Sequence, residues 1–246
     1  MNKIKFYIRC TCLFFIRFFN SLFWYLSISM RNLNTNIQKK ILDMFENPIQ
    51  NINIICPGPS IKNIENKELN KNEIYIFINH AVAYASRKQF QGLNKIFFTT
   101  DPVRAKEVLD QRLDDFKNCQ SILFPGHLFH MNHRLFRNFK IIYRPKHIYI
   151  DKNYGVVAKS IDLKKISAPD NTFASCGFGS LISAISFGLI FKPKKINFWG
   201  CDFGPVKDLE YGVGNIKSIG STPYDKIRET INKIEQILIN TEFKYN

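Results

Sequence analysis

Asn51-Ile52-Asn53-Ile54-Ile55-Cys56-Pro57-Gly58-Pro59-Ser60-Ile61 decides how the rest of this chain is read. Ile52 to Cys56 is a short apolar run closed by turn residues, the pattern of a strand buried in a parallel sheet. Gly58 can take backbone angles closed to other residues and admits a ligand close to the main chain. Pro57 and Pro59 stiffen the turn, and Ser60 is placed to cap a following helix. Strand, tight turn and helix start is how open α/β sheets bind phosphate or another anion. It is also an ordinary strand-to-helix connection.

Downstream the alternation repeats. Ile74 to Asn79 reads as a second strand, Ala81 to Phe90 as a short helix, and Lys95 to Thr100 as a third strand running into Asp101-Pro102. Val103 to Phe116 has the apolar spacing of an amphipathic helix, and Ser121 to Phe124 is a fourth strand. Thr172 to Gly188 reads as a helix in which Gly177, Ser180, Ser183 and Ala184 permit close approach to the sheet or to a ligand. Lys195 to Gly200 is a further strand, ending at Cys201-Asp202. Residues 205–222 are rich in glycine and loop-like, a candidate mobile lid. Tyr224 to Ile239 is a final amphipathic helix, and Glu242 to Tyr245 adds an edge strand. Strands alternating with helices predict an α/β domain over 51–246, its sheet mostly parallel and covered by helices on both faces. The strand ends at Gly58, Asn79, Asp101 and Asp202 then converge on one edge, where such sheets place their ligands.

Residues 1–50 form a separate part. Arg9 and Arg17 interrupt an otherwise apolar run, which disfavours a secretory signal and a clean membrane span. On a helix, Lys5, Arg9, Arg17, Asn20, Ser27 and Arg31 fall on one side, and Ile4, Tyr7, Phe14, Phe15, Phe18, Leu22 and Tyr25 on the other. Phe6, Leu13 and Trp24 stray onto the polar side. The pattern predicts an amphipathic helix lying on an anionic membrane surface, or else packed on protein. Thr35 to Phe45 reads as a helical connector.

The chain has 246 residues, 45% of them hydrophobic, enough for one sizeable core. Lys and Arg number 35 against 20 Asp and Glu, a formal charge of +15 that suits an anionic partner. Zinc-finger spacing, an RNA-recognition signature and basic-region heptads are all missing, so nucleic acid is not expected. No Gly-x-Gly-x-x-Gly follows the first strand and no Gly-Lys-Ser/Thr loop occurs, which removes ordinary NAD and P-loop readings. The six cysteines are scattered without metal-type spacing and read as reduced, in a cytoplasmic setting. Residues 126–170 hold four of the five histidines and nine Lys or Arg against three Asp. His127, His130 and His133 invite a zinc reading, but their spacing drifts around a helix and no Cys completes a tetrahedral set, so no metal is expected.

Five landmarks carry a resemblance: Pro57-Gly-Pro-Ser-Ile61, Asn79 at a strand end, Asp101-Pro102, Ser175-Cys-Gly177 before a small-residue helix, and Gly200-Cys-Asp-Phe203. In order and spacing, over roughly 51–240, they resemble bacterial sialyltransferases of glycosyltransferase family 42. They are also similar to the related domain of flagellin nonulosonate transferases and archaeal 6-hydroxymethylpterin diphosphokinase. The resemblance implies a Rossmann-like fold that binds a cytidine nucleotide sugar as co-substrate and needs no cofactor. Gly58, Pro59 and Ser60 would line the donor phosphate, and Asn79 would contact the nucleotide. Asp101 stands where the sialyltransferases have asparagine before proline. Ser175, Cys176 and Gly177 match the donor site, and Asp202 matches the Asp of a Gly-x-Asp-Phe motif. Those enzymes carry a histidine general base just before the last helix. Here that segment is Ser218-Ile-Gly-Ser-Thr-Pro-Tyr224, without histidine. Tyr224, Asp225, or a histidine from 127–147 remain to take the proton.

The expectation is a glycosyltransferase that moves a nonulosonate from a CMP-activated donor to a bacterial surface glycan, such as lipooligosaccharide. Asp202, Tyr224 and Asp225 are its candidate catalytic residues. Its partners are the donor, a glycan or glycolipid acceptor, and the inner face of the cytoplasmic membrane. Self-association is left open. The alternatives are a Mg-dependent pyrophosphokinase of the 6-hydroxymethylpterin type, with Asp101 and Asp202 on the ion, and a non-catalytic nucleotide or glycan binder.

Overall fold

Apolar residues in the strands alternate between two helical layers, and that alternation builds the core. The computed structural model describes residues 3–45, 49–143, 147–148, 174–175, 180–202, 224–238 and 240–246, with side-chain surroundings over 11–45, 49–143, 180–202, 227–238 and 240–246. Strands β1 (Asn51–Ile55), β2 (Glu73–Ile78), β3 (Asn94–Thr99), β4 (Gln120–Leu123), β5 (Ile141–Ile142), β8 (Lys195–Trp199) and β9 (Glu242–Tyr245) form one sheet in the order β5-β4-β3-β2-β1-β8-β9. Every pairing in it is parallel. A separate parallel pair joins β6 (His147–Ile148) to β7 (Ala174–Ser175).

Ile74, Ile76 and Ile78 of β2, with Ile96 and Phe98 of β3, face one layer. That layer holds α2 (Ile37–Leu42), α6 (Ser180–Leu189) and α7 (Tyr224–Ile237). Tyr75, Phe77 and Phe97 face the other, formed by α3 (Pro102–Gln111), α4 (Leu113–Lys117), α5 (His133–Asn138) and the end of α1 (Lys3–Arg31). Strands covered on both faces explain the unbroken apolar runs. Asn53 is one of the buried polar residues in the strands, with Thr99 and Ser121. Its amide donates to Glu73 Oε2 at 2.7 Å, and its oxygen accepts from Trp199 Nε1 at 3.1 Å, so its burial is compensated.

The α/β sheet is as expected, including the strand at 242–245, but three elements differ. The segment 81–90 forms two 3-10 turns, Asn79–Tyr84 and Lys88–Phe90. Ala81, Val82, Tyr84 and Ala85 are all buried, which leaves no polar stripe for a surface α-helix. The helix expected over 103–116 breaks at Arg112, whose φ of −141° and ψ of 39° are not helical. Of the helix expected from Thr172, Ala174 and Ser175 instead pair with β6, and the described helix is Ser180–Leu189. Gly188 lets that helix sit close on the sheet, since a Cβ there would lie 3.3 Å from Ile52 Cγ2. The proposed lid at 205–222 lies outside the described residues.

Helix α1 docks through its polar side. Asn20 donates to the Phe129 carbonyl at 3.2 Å, and Arg31 donates to the carbonyls of Phe136, Phe139 and Lys140 at 2.6, 2.7 and 3.0 Å. Trp24 and Ile28 lie between these anchors and are buried, with Trp24 against Phe136 at 5.6 Å. Trp24 therefore does not stray; it belongs to the docking face. The opposite side stays open, with Phe14 65% and Phe19 62% exposed and Phe15, Phe18, Leu22 and Leu26 also exposed. By length and composition, Thr11–Arg31 could cross a membrane.

Trp24→Ala is expected to cost about 3 kcal/mol, as for a buried aromatic residue. Phe18→Ala, on the open side of the same helix, should stay within about 0.5 kcal/mol of the parent. Chemical denaturation in mild detergent measures both.

Candidate active site

The order of the sheet reverses at β1: the chain steps outward through β2 to β5, then returns to β8 on the other side. That switch point is where an open α/β sheet forms a crevice at its carboxyl edge. Two turns meet there. The Gly58 N–H donates to the Gly200 carbonyl at 3.0 Å, and the Ser60 N–H donates to Asp202 Oδ2 at 2.9 Å. A Cβ on Gly58 would overlap Asp202 Oδ2 and the Gly200 oxygen. Gly200 has φ +66°, and a Cβ there would overlap the Cys56 carbonyl. Both glycines are thus required by the contact between turns. Ser60 does not cap with its side chain; Gly58 is the N-cap of the 3-10 helix Pro59–Asn66, and Asp202 supplies the acceptor.

This contact consumes the donors of the turn. Cys56, Gly58, Ser60 and Ile61 all donate within the protein, and Pro57 and Pro59 have no N–H. The turn is a rigid wall rather than an amide cradle. Beside it the Cys201 thiol points at Cys56 Sγ, 2.9 Å away. Burial, first, and that neighbour push the Cys201 thiol well above its usual range, so it is not a thiolate nucleophile.

Further along the same edge, Asn79 ends β2 with φ +52°, a left-handed conformation that asparagine tolerates better than most residues. Its Oδ1 accepts from Thr99 Oγ1 at 2.7 Å, and Thr99 Oγ1 accepts from the Asp101 N–H at 3.1 Å. Asp101 caps α3, Oδ1 accepting from the Val103 N–H at 2.8 Å. His127, on the loop after β4, places Nε2 3.9 Å from the same oxygen. Burial lowers the pKa of His127 despite the nearby carboxylate, favouring the neutral ring at physiological pH. Ser180, the first residue of α6, has its hydroxyl 3.1 Å from that of Thr100 and accepts from the Thr100 N–H at 3.0 Å. The positive end of that helix is therefore held at the end of β3.

Gly58, Pro59, Ser60 and Asp202 come together as one unit, and Asn79 and Asp101 as a second unit on the neighbouring strands. Ser175 lies on β7, and Tyr224 and Asp225 lie in the first turn of α7, but the surroundings of these three side chains are outside the described residues, as are Cys176 and Gly177 altogether. The three histidines do not form one cluster. His127 faces Asp101, whereas His133 lies against Trp24 with ring centres 5.3 Å apart. No group of three or more His, Cys, Asp or Glu positioned for a metal occurs among the described residues. His127 was one of several histidines open from sequence, and only the folded loop sets it apart. Thr99, Ser180 and His80 carried no motif. His80 is buried, with Nε2 3.1 Å from Glu107 Oε2, which also accepts from Arg104 at 2.6 Å.

No family model and no curated protein sequence matches this chain. Among solved structures, it is similar to a MAf glycosyltransferase from Magnetospirillum magneticum AMB-1, at 9% sequence identity and a TM-score of 0.45. The match covers 81% of this chain and 34% of that one, so the chain spans about a third of the enzyme's length. At this degree of likeness, function has to be read from the site itself.

Gly58→Ala should destabilise the protein by about 1–3 kcal/mol through overpacking. Asp202→Ala should cost about as much by leaving the Ser60 N–H unpaired. The double variant should cost somewhat less than the sum, because the smaller residue at 202 removes one of the two overlaps and leaves that with the Gly200 oxygen. Urea denaturation of the three variants tests this.

Burial also lowers the pKa of His80, so the unfolded chain binds a proton near pH 6.5 that the folded chain refuses. Stability should be full above that pH and fall as pH drops through it. The urea midpoint measured from pH 7.5 to 5.5 should fall less steeply in His80→Gln.

Proposed function

We propose that the chain is a glycosyltransferase that uses a CMP-activated nonulosonate donor and a bacterial surface glycan such as lipooligosaccharide as acceptor. The observation that carries this reading is the crevice at the β1/β8 switch point, with Asp202, Asn79, Asp101 and His127 along one edge. These include the strand-end positions by which the sequence resembles nucleotide-sugar transferases. The wall at Gly58 and Ser60 has spent its amides. We therefore put the donor phosphate at the N-terminal end of α6, two residues beyond Ser175-Cys176-Gly177, where helix N–H groups favour an anion.

His127 is assigned as the general base in place of the missing histidine. The acceptor oxygen bonds to the anomeric carbon while the bond from that carbon to the donor phosphate oxygen breaks, its electron pair leaving with CMP. The acceptor proton passes to His127 Nε2, and Asp101 stabilises the imidazolium. Asp202 acts through the turn it holds and is a positioning residue. Helix α1 keeps the site at the cytoplasmic face of the membrane, where lipid-linked acceptors are accessible.

A second reading has one observation in its favour. Two aspartates share an edge whose turn offers no free amide, which suits phosphates bridged by Mg²⁺, as in a pyrophosphokinase.

CMP should raise the melting temperature of the purified protein by several degrees, and no protection by CMP or any CMP-sugar would overturn the first reading. His127→Ala should lower kcat by about 10²–10⁴-fold with the CMP shift retained. Tyr224→Phe and Asp225→Asn should stay near parent activity; loss of activity in either, with His127→Ala active, would overturn the base assignment. ATP- and Mg²⁺-dependent transfer without CMP protection would establish the second reading.

A further inference from the structure

A cleft of about 510 Å³ opens between α1, the start of α3 and the loop after β4. Its polar lining includes Arg17, Lys106 and His130, and its apolar lining Ile16, Val103 and Phe129. Among the described residues neither Arg17 nor Lys106 has an ion pair, although seven Lys or Arg pairs occur elsewhere. Two exposed cations lining one cleft make it favourable for an anion. Arg17 also stands among exposed phenylalanines on α1, where an apolar neighbour is implied on one side and an anionic one on the other.

The cleft adjoins the candidate active site. Val103 donates its N–H to Asp101, and the Phe129 ring stacks on His127 with centres 6.1 Å apart. The His130 ring meets His127 edge-on at 5.4 Å. Its other wall is α1, whose far side presents Phe14, Phe15 and Phe18. A molecule filling it therefore meets two cations, an apolar wall and, through Phe129 and His130, the immediate neighbours of His127.

We propose that this cleft binds the phosphorylated headgroup of a membrane-embedded glycolipid acceptor, with its phosphate between Arg17 and Lys106 and its sugar directed at His127. The proposal rests on the glycosyltransferase reading for the role of that sugar, but phosphate binding stands without it. The phosphate neutralises the two cations, the lipid chains follow the apolar side of α1 into the bilayer, and the cleft sets which hydroxyl meets the base. Specificity for the acceptor then resides at α1 and α3, away from the donor turn at Gly58.

The test compares full-length protein with Arg17→Gln/Lys106→Gln and with a control, Lys39→Gln/Lys40→Gln, whose lysines are exposed on α2. Sedimentation with phosphatidylcholine vesicles measures apolar binding, and vesicles containing phosphatidate add the phosphate. Binding to phosphatidate vesicles should fall about 30-fold in the cleft variant, as expected for two cations near an anionic surface. Binding to neutral vesicles and the CMP melting shift should be unchanged, and the control should lose less than about threefold. Equal loss in the control would overturn the proposal by showing general surface charge. Unchanged phosphatidate binding in the cleft variant would overturn it outright. Reversal by an equal concentration of soluble glycerol phosphate would overturn it in favour of a free phosphate ligand. If the parent shows no CMP shift but the cleft variant still loses phosphatidate binding, the glycosyltransferase reading fails while the cleft stands.

Discussion

The contact between the turns at Gly58 and Asp202 is the constraint from which the site follows. Parallel strands β1 and β8 bring their carboxyl ends together, and the chains leaving them must diverge without burying unpaired backbone groups. The solution is reciprocal. Gly58 gives its N–H to Gly200, Ser60 gives its own to Asp202, and each glycine occupies a place where a side chain would overlap backbone of the other turn. A carboxylate held by a backbone N–H in a half-buried crevice is costly to move, so the wall is rigid before any ligand arrives.

That rigidity decides where an anion can be held. A turn whose N–H groups are all engaged has nothing to offer phosphate oxygens, and the Asp202 carboxylate beside it repels them. The next positive feature along the edge is the N-terminus of α6, fixed against Thr100 by Ser180. Going from β8 through β1 and β2 to β3, the edge therefore passes from a carboxylate-backed wall to an anion-accepting helix end. His127 and Asp101 lie beyond it, and α1 closes the far side.

The fold was legible from the sequence wherever burial imposed it. Short Ile- and Phe-rich runs between turn residues were strands because both faces of the sheet are covered, and the register of strand ends followed from that. What the sequence could not show was which atoms fill the space next to a glycine. Gly58 invites the reading that a ligand approaches the main chain; the group that approaches is Asp202, more than a hundred residues away. The histidine series failed for a related reason. Spacing of three suggests a shared surface, but Asn132 caps a new helix at His133, so His127 turns to Asp101 and His133 to Trp24. The pairing of His127 with Asp101 is legible only after the loop between β4 and α5 has its shape.

Helix α1 shows how far a periodicity argument reaches before packing completes it. Its polar stripe and broad apolar side fit a helix at a lipid surface, while its composition alone passes for a span. Docking separates the two. From Asn20 to Arg31 the polar side is bonded to the domain, and a span through Thr11–Arg31 would have to break those bonds. Residues 3–19 lie before these anchors. They also carry Lys3, Lys5, Arg9 and Arg17, each expensive at bilayer depth. Lying flat on a bilayer, the same helix would bury Phe14, Phe15, Phe18, Leu22 and Leu26 on one side and keep its domain contacts on the other. Arg17 would then lie at the depth of the headgroups, level with the cleft it lines.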